Sequence, residues 1–311
     1  MSNIKITTSP YKNYGNCAVI TNGLIETYVT TELGPRIIKL NLIGKENLMQ
    51  DDEKREMVTD VSSLFGEGKK FYNYGGHRLW ITPEHMPKTY YPDNDPVDVK
   101  IDGDTVIFTP PPQAVNNLQL YMYVTMSENE PRVEVTYKAT NLNPQEITAG
   151  LWAISVLATG GTVICPQPED DYEGLLPNRA MILWPYTKLT DSRLRLFDKY
   201  IVVRQDKDRP ERFKIGINNT QGWLAYQNFG QVLKKTYTPN HQNGNYPDLG
   251  CSSEIFTNNH IIEAEVLSEF HTLKNGEFMT LTECFELSEA PDIGGIDCQD
   301  RVEEYVDRYL G

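Results

Sequence analysis

The chain has 311 residues, a formal net charge of −14, an apolar fraction of 39% and an aromatic fraction of 10%. This composition is typical of a folded globular protein and argues against disorder. The negative charge repels polyphosphates and disfavours nucleic acid as a partner. No apolar stretch in the sequence approaches the length of a membrane span, so no membrane partner is expected.

The cysteines and the N-terminal residues together predict a cytoplasmic protein. The five cysteines are an odd number, widely spaced and without a Cys-x-x-Cys pair, so neither a disulfide framework nor a zinc knuckle is expected. Reduced thiols in a cytosol are the simplest account of them. The first residues, Met-Ser-Asn-Ile-Lys-Ile, contain no apolar run of the kind found in a signal peptide.

Apolar and polar residues alternate with a period of two through most of the chain. Leu118, Leu120 and Met122 begin one such pattern and Val133 and Val135 another, and each pattern predicts a strand with one face in a core. Further strands are expected near residues 17–21, 24–31, 36–42, 97–101, 105–109, 149–156, 200–205, 213–218, 222–228, 231–238, 253–257, 260–267 and 278–287.

Helical periodicity is scarce. Residues 54–65 are expected to form a short helix, and Val302, Tyr305, Val306 and Tyr309 share one face of a C-terminal helix. Many antiparallel strands with few helices predict an all-β sandwich of two broad sheets, with the C-terminal helix on the outside. No linker or repeat interrupts the pattern, so residues 1–311 are expected to form a single domain.

The segment at residues 74–87 concentrates groups that bind polyhydroxylated ligands. It holds His77, Arg78, Trp80, Glu84 and His85, follows a Gly-Gly pair and ends in two prolines. We interpret it as a shaped loop leaving a strand, because binding groups often lie on loops of a rigid scaffold. The alternative is a buried polar plug in which Arg78 satisfies backbone carbonyls.

A second segment, at residues 260–267, carries two carboxylates on one face of a strand. Glu263 and Glu265 alternate with Ile262, Ala264 and Val266, and residues two apart on a strand are about 6.6–6.8 Å apart along it. Two neighbouring carboxylates beside apolar groups push each other's pKa values apart. The alternatives are a solvated outer face and a glycoside-cleaving pair, although both carboxylates would then flank the same side of the substrate.

Two further basic residues are candidates for ligand binding. Arg36 lies in a Gly-Pro-Arg turn that enters a strand, and alternation places Lys234 and Lys235 on opposite faces of another. The sequence has no Gly-rich phosphate loop and no GxSxG or HExxH motif. The spacing of His77 and His85 matches no metal site. We therefore expect no metal and no cofactor.

Short segments spread through the chain share motifs with one known superfamily. They are residues 22–28, 33–40, 46–49, 75–80, 90–93, 262–265 and 274–277. In these segments the chain resembles galactose mutarotase-like (aldose 1-epimerase) proteins, and specifically an uncharacterised branch that is a domain of unknown function. The resemblance implies a β-supersandwich of two large antiparallel sheets and a small-molecule sugar ligand.

The resemblance also implies a reaction. Enzymes of the superfamily open and reclose a pyranose ring with a glutamate base and a histidine acid. The glutamate lies in a late strand, where this chain has Glu263 and Glu265, and His77 is the best remaining acid. Trp152 occupies the region of the superfamily's second histidine. Two functions therefore fit these residues: an isomerase, either a mutarotase or an epimerase, and a carbohydrate-binding module without turnover.

The predicted site has two groups of residues around a cleft that takes a neutral or weakly anionic monosaccharide. The acid–base group is Glu263, Glu265 and His77. The ligand-binding group is Arg78, Trp80, Glu84, His85, Trp152, Arg36 and Lys235.

Overall fold

The computed structural model describes residues 3–170, 173–241 and 244–311. Within them the chain forms 23 strands and two helices. In chain order the elements are β1 (Lys5–Pro10), β2 (Asn16–Thr21), β3 (Ile25–Thr30), β4 (Ile37–Leu42), β5 (Val58–Asp60), α1 (Ser62–Phe65), β6 (Lys70–Tyr72), β7 (Gly76–Thr82), β8 (Asp98–Asp102), β9 (Thr105–Thr109), β10 (Leu118–Met126), β11 (Arg132–Asn141), β12 (Ile147–Leu157), β13 (Thr162–Pro166), β14 (Met181–Leu183), β15 (Leu194–Leu196), β16 (Tyr200–Arg204), β17 (Phe213–Ile217), β18 (Trp223–Asn228), β19 (Gln231–Tyr237), β20 (Ser253–Thr257), β21 (Ile262–Leu267), β22 (His271–Leu273), β23 (Phe278–Glu289) and α2 (Gln299–Tyr309).

The strands form two large antiparallel sheets and one small hairpin. Sheet 1 has the order β1-β2-β3-β4-β7-β12-β21-β20-β17-β14, with β22 paired to the far end of β12. Sheet 2 has the order β15-β16-β13-β18-β19-β23-β11-β10-β9-β8, and β5 pairs with β6 apart from both. The predicted all-β sandwich of two large sheets with a C-terminal helix is confirmed.

The core lies between the inner faces of the two sheets. Alternate residues of β12 in sheet 1, such as Leu151 and Ala153, belong to one buried cluster with Val133 and Val135 of β11 and with Phe285 of β23 in sheet 2. Because successive side chains of a strand point to opposite faces, the intervening residues of β12 point away from this core. That outer face of sheet 1 carries the cleft described below.

The segment predicted as a loop at residues 74–87 is mainly a strand. Gly76–Thr82 forms β7, which pairs with β12 from Val156 to Gly150. Gly75 precedes the strand and Gly76 begins it, both with positive φ, and cis peptide bonds precede Pro83 and Pro87 after it. The loop interpretation was wrong over this strand because the flanking glycines and prolines obscured a short period-two pattern.

The helix predicted at residues 54–65 was also too long. Only α1 is helical there, and residues Val58–Asp60 form β5 instead. Arg55 has a positive φ of 58°, which a helix does not accommodate. Backbone pairing with β6 therefore prevails over the local helical pattern in this segment.

Helix α2 covers the outer face of sheet 2. Val302, Tyr305 and Val306 are buried, as predicted, in a cluster with Ile164 and Val202 of that sheet. No helix among the described residues is both long and apolar enough to span a membrane.

Removing one buried side chain of α2 should destabilise the protein. We expect Val302→Ala to lower the free energy of unfolding by about 1–3 kcal/mol, because apolar area and packing are lost at a fully buried position. Glu304→Ala, on the exposed side of the same helix, is the matched control and should change it by about 0.5 kcal/mol or less. Urea unfolding of both variants measures the difference. Equal effects would contradict the docking of α2.

Candidate functional site

A cleft of about 380 Å³ lies on the outer face of sheet 1. Its floor consists of outward-facing residues on β7, β12, β21, β20 and β17. The register places Trp80 opposite Trp152, and it places Ile154 opposite both Arg78 and Glu265. The β5–β6 hairpin forms one wall, and the segment after β14 forms another.

Aromatic rings form a continuous surface in this cleft. The ring centroid of Trp80 lies 4.8 Å from that of Tyr90, 5.3 Å from that of Trp152 and 5.4 Å from that of Phe71. Trp184 adds a further ring on the opposite wall. Surfaces of this kind pack against the apolar faces of a sugar ring, while polar groups at their margin can bind its hydroxyls.

A buried ionic cluster fixes one of the two predicted carboxylates. Lys214 Nζ lies 2.6 Å from Glu254 and 3.0 Å from Glu265, and Trp152 donates its indole N–H to Glu265 at 2.7 Å. Burial lowers the pKa of Lys214, but the two carboxylates outweigh it and raise that pKa well above its usual value. Glu265 is therefore held in place by Lys214 and by the Trp152 indole.

Glu263 is in a different position, although it faces the same cleft. It is half-buried, and among the described residues its carboxylate forms no ion pair and no hydrogen bond. Burial and the charge of Glu265 raise its pKa to about 7, against the opposing effect of Arg78 and Lys214. A carboxylate with this pKa can both accept and return a proton at neutral pH.

Arg78 contributes a buried cation to the floor. The residue is 2% exposed, and its guanidinium lies 4.3 Å from the Trp80 ring centroid and 5.6 Å from that of Phe71. Its Nε and Nη1 atoms have no hydrogen-bond partner among the described residues. Burial lowers its pKa to about 10, so the group stays charged at neutral pH. It does not act as a plug that satisfies carbonyls.

The predicted acid, His77, points away from the cleft. His77 lies on the inner face of β7 and is fully buried, with its Nδ1 2.9 Å from Ser155 Oγ and its Nε2 3.2 Å from Glu283. The predicted ligand-binding residue Lys235 joins the same core cluster, with its Nζ 3.0 Å from Glu283. Neither side chain lines the cleft, because strand alternation turns both toward the core.

The other predicted residues divide between the cleft and its surroundings. Glu84 lines the cleft and accepts a hydrogen bond from Tyr90 at 2.5 Å. Arg36 is buried but is occupied by an ion pair with Asp93 at 2.9 Å, and it does not line the cleft. His85 is exposed and lies outside the cleft lining.

Sequence reasoning missed several cleft residues that come from distant parts of the chain. Lys214 lies on β17, and Trp184, Tyr186 and Arg212 lie on the far wall. Glu254 on β20, also missed, is buried outside the cleft lining and pairs with Lys214. One signal was available for Lys214, because it is a single charged residue within the otherwise apolar strand β17. No group of acidic, histidine or cysteine residues in the described segments is arranged to hold a metal ion.

Comparison with known proteins shows the fold of this chain but finds no relative by sequence. No protein-family profile and no curated protein matches the chain. A galactose mutarotase-like protein from Lactobacillus casei is 10% identical, with a TM-score of 0.55, over 88% of this chain and 100% of that one. A candidate aldose 1-epimerase from Escherichia coli K12 is 11% identical, with a TM-score of 0.53, over 92% of this chain and 99% of that one. A protein from Synechocystis sp. PCC 6803 is 11% identical, with a TM-score of 0.55, over 86% of this chain and 92% of that one. The chain therefore has the fold of galactose mutarotase-like proteins.

Proposed function

We propose that the protein binds a monosaccharide in the cleft on sheet 1 and exchanges its anomers, with Glu263 as the general base. The observation that carries the proposal is the half-buried, unpaired carboxylate of Glu263, whose pKa is raised to about 7, beside an aromatic floor. The names of the structural neighbours, a galactose mutarotase-like protein and a candidate aldose 1-epimerase, agree with a sugar ligand.

The reaction needs two proton transfers. Glu263 takes the proton of the anomeric hydroxyl, the bond between C1 and the ring oxygen breaks, and the ring oxygen takes up a proton to give the open-chain aldehyde. Rotation about C1–C2 and reversal of these steps close the ring as the other anomer. None of the five histidines, all within the described residues, lines the cleft, so we assign the proton for the ring oxygen to water.

The direct test is anomer exchange measured by NMR. A panel of aldoses at equilibrium is mixed with the protein, and magnetisation transfer between the two anomeric protons gives the exchange rate. We expect at least one sugar to exchange faster than in buffer at the same pH. If sugars of the panel bind but none of them exchanges faster than in buffer, the proposed enzyme activity is ruled out.

One observation favours a second candidate, a sugar-binding protein without turnover. The superfamily's reaction uses a histidine acid, and the histidine proposed for that role from sequence, His77, is enclosed in the core. The cleft would then hold the sugar by stacking and hydrogen bonds alone. The same NMR experiment decides between the candidates, because binding is visible by line broadening whether or not exchange is accelerated.

Both candidates predict that Trp80 is needed for binding. Trp80 is central to the aromatic surface, so we expect Trp80→Leu to weaken sugar binding roughly 10- to 30-fold, as loss of a central aromatic contact does elsewhere. Trp223→Leu is the matched control, because Trp223 packs beside Tyr200 and α2 on the other sheet. Titration calorimetry of both variants measures the effect. Equal affinities for wild type and Trp80→Leu would place the sugar elsewhere.

A further inference from the structure

The cleft contains a cation without a protein partner. Arg78 is 2% exposed, and its Nε and Nη1 form no hydrogen bond among the described residues. An unpaired buried charge is destabilising, and buried guanidinium groups are normally matched by a carboxylate or another anion. Arg78 has no such anion although it lies on the floor of a cleft, which indicates that a ligand supplies the negative charge.

The acidic groups near Arg78 are committed elsewhere or too far away. Asp93 pairs with Arg36, Glu265 pairs with Lys214, and Glu84 accepts from Tyr90. Glu263 lines the same cleft and interacts with Arg78 through its charge, but the two side chains form no ion pair and no hydrogen bond. On the sheet, Arg78 and Glu265 are separated by the intervening strand β12, which corresponds to roughly 9–10 Å between backbones. No described carboxylate therefore neutralises Arg78 by direct contact.

The guanidinium of Arg78 also packs against two aromatic rings. It lies against the rings of Trp80 and Phe71 at 4.3 and 5.6 Å from their centroids. Such stacking uses the face of a guanidinium and none of its N–H donors, and two of those donors can bind the two oxygens of a carboxylate. A preformed planar group of this kind loses little entropy when it binds a planar anion.

We infer that Arg78 receives a carboxylate of the sugar, so that the cleft takes hexuronic acids in preference to neutral hexoses. This inference rests on the proposed function, since it takes the ligand of the cleft to be a monosaccharide. A carboxylate satisfies the buried cation, whereas a hydroxyl adds one hydrogen bond and leaves the charge unbalanced. A phosphate dianion fits less well, because Glu84, Glu263 and Glu265 share the cleft or its floor and repel a second negative charge.

The test compares ligands that differ only at C6. Titration calorimetry at neutral pH measures the affinity of the wild-type protein for glucuronate and galacturonate, for the parent hexoses glucose and galactose, and for glucuronamide, which is uncharged and has nearly the same shape as glucuronate. We expect at least one hexuronate to bind roughly 10- to 100-fold more tightly than its parent hexose, as expected for hydrogen bonds to a charged group. Glucuronamide should bind like glucose.

Variants of the protein test whether Arg78 is responsible for the preference for hexuronates over hexoses. Arg78→Met should reduce the affinity ratio of hexuronate to hexose to about one, and Arg78→Lys should retain part of it, because a lysine keeps the charge without the paired donors. Arg212→Met is a comparison within the same cleft and should leave most of the ratio in place. If Arg78→Met does not fold, the ligand series on wild type and Arg78→Lys decides the question.

The outcomes separate this inference from the proposed function. Equal affinities for hexuronate and hexose, or an unchanged ratio in Arg78→Met, would overturn the role of Arg78 and leave anomer exchange standing. A hexuronate that binds through Arg78 without faster anomer exchange would support this inference and overturn the catalytic proposal. Failure of every sugar to bind would overturn both.

Discussion

Glu263→Gln should lower the rate of anomer exchange roughly 10²–10⁴-fold, which is the usual contribution of a general base. Glutamine has nearly the same shape but cannot take the anomeric proton. Because Glu263 is half-buried and forms no ion pair or hydrogen bond among the described residues, its replacement should leave the fold and the sugar affinity close to wild type. The loss should therefore appear in kcat, with little change in KM.

Glu265→Gln is the matched control for this experiment, because the two residues are on the same face of the same strand. Glu265 is held by Trp152 and Lys214, so its carboxylate is already engaged by protein groups and is not assigned a role as the base. We expect Glu265→Gln to retain activity at neutral pH. If Glu265→Gln is inactive and Glu263→Gln is active, the general base is Glu265 and not Glu263.

The pH dependence of anomer exchange provides an independent check on Glu263. Its pKa is raised to about 7 by burial and by Glu265, while Arg78 and Lys214 oppose the rise and Glu84 adds to it. A general base acts when deprotonated, so kcat should fall as the pH is lowered through about 7. In Glu265→Gln a neighbouring negative charge is lost, so the midpoint should move to lower pH. A pH profile that is flat between 5 and 8 would contradict this assignment.

The fold could be predicted because its longest strands show their pattern locally. In β11 and β23, buried residues such as Val133 and Phe285 alternate with more exposed ones over ten or more positions, and each such pattern specifies a strand and its inner face. Strands such as β13 were missed because they are short and buried on both faces. A continuous apolar run of that length does not distinguish a strand from other buried segments.

The candidate site could be predicted only in part, because the residues of β7 were interpreted as a loop and not as a strand. Once residues 76–82 are known to be a strand, His77 falls on the same face as Leu79 and Ile81, while Arg78 and Trp80 share the other face. Interpreting the segment as a loop removed this constraint and placed His77 beside Arg78. The contact of Lys214 with Glu254 and Glu265 could not be inferred, because only the order of strands in sheet 1 brings these three residues together.

The core cluster around Glu283 shows a related limit. Glu283 follows the same alternation as Leu281, Phe285 and Leu287, and an acidic residue on that apolar face indicates a buried carboxylate. Its partners come from two other strands, β7 and β19, and only the stacking of sheet 1 on sheet 2 brings them together. His77 and Lys235 are therefore assigned to the stability of the sandwich.

Lys235→Met should destabilise the protein by about 3–5 kcal/mol, because removing one member of a buried ion pair leaves the other charge uncompensated. Lys235 and Glu283 are 1% and 0% exposed and 3.0 Å apart. Burial lowers the pKa of His77, which works against protonation of the imidazole as a substitute for the lost cation. Urea unfolding at neutral pH measures the loss. Lys234→Met is the matched control, since the neighbouring lysine faces away from the core and bonds to a carbonyl at the C-terminal end of α2; it should cost about 1 kcal/mol or less.

A second substitution and a change of pH identify the cause of this loss. In the wild-type protein burial raises the pKa of Glu283, but Lys235 and His77 outweigh it and hold that pKa below its ordinary value. Without Lys235 the buried carboxylate should be more easily protonated than in the unfolded chain, so the stability deficit should shrink as the pH falls toward the pKa of Glu283 and grow as the pH rises. Adding Glu283→Gln to Lys235→Met removes the charge and keeps a hydrogen-bonding group beside His77, and it should recover a large part of the loss at neutral pH. A deficit that neither acid nor Glu283→Gln reduces would mean that Lys235 stabilises the core by packing rather than by its charge.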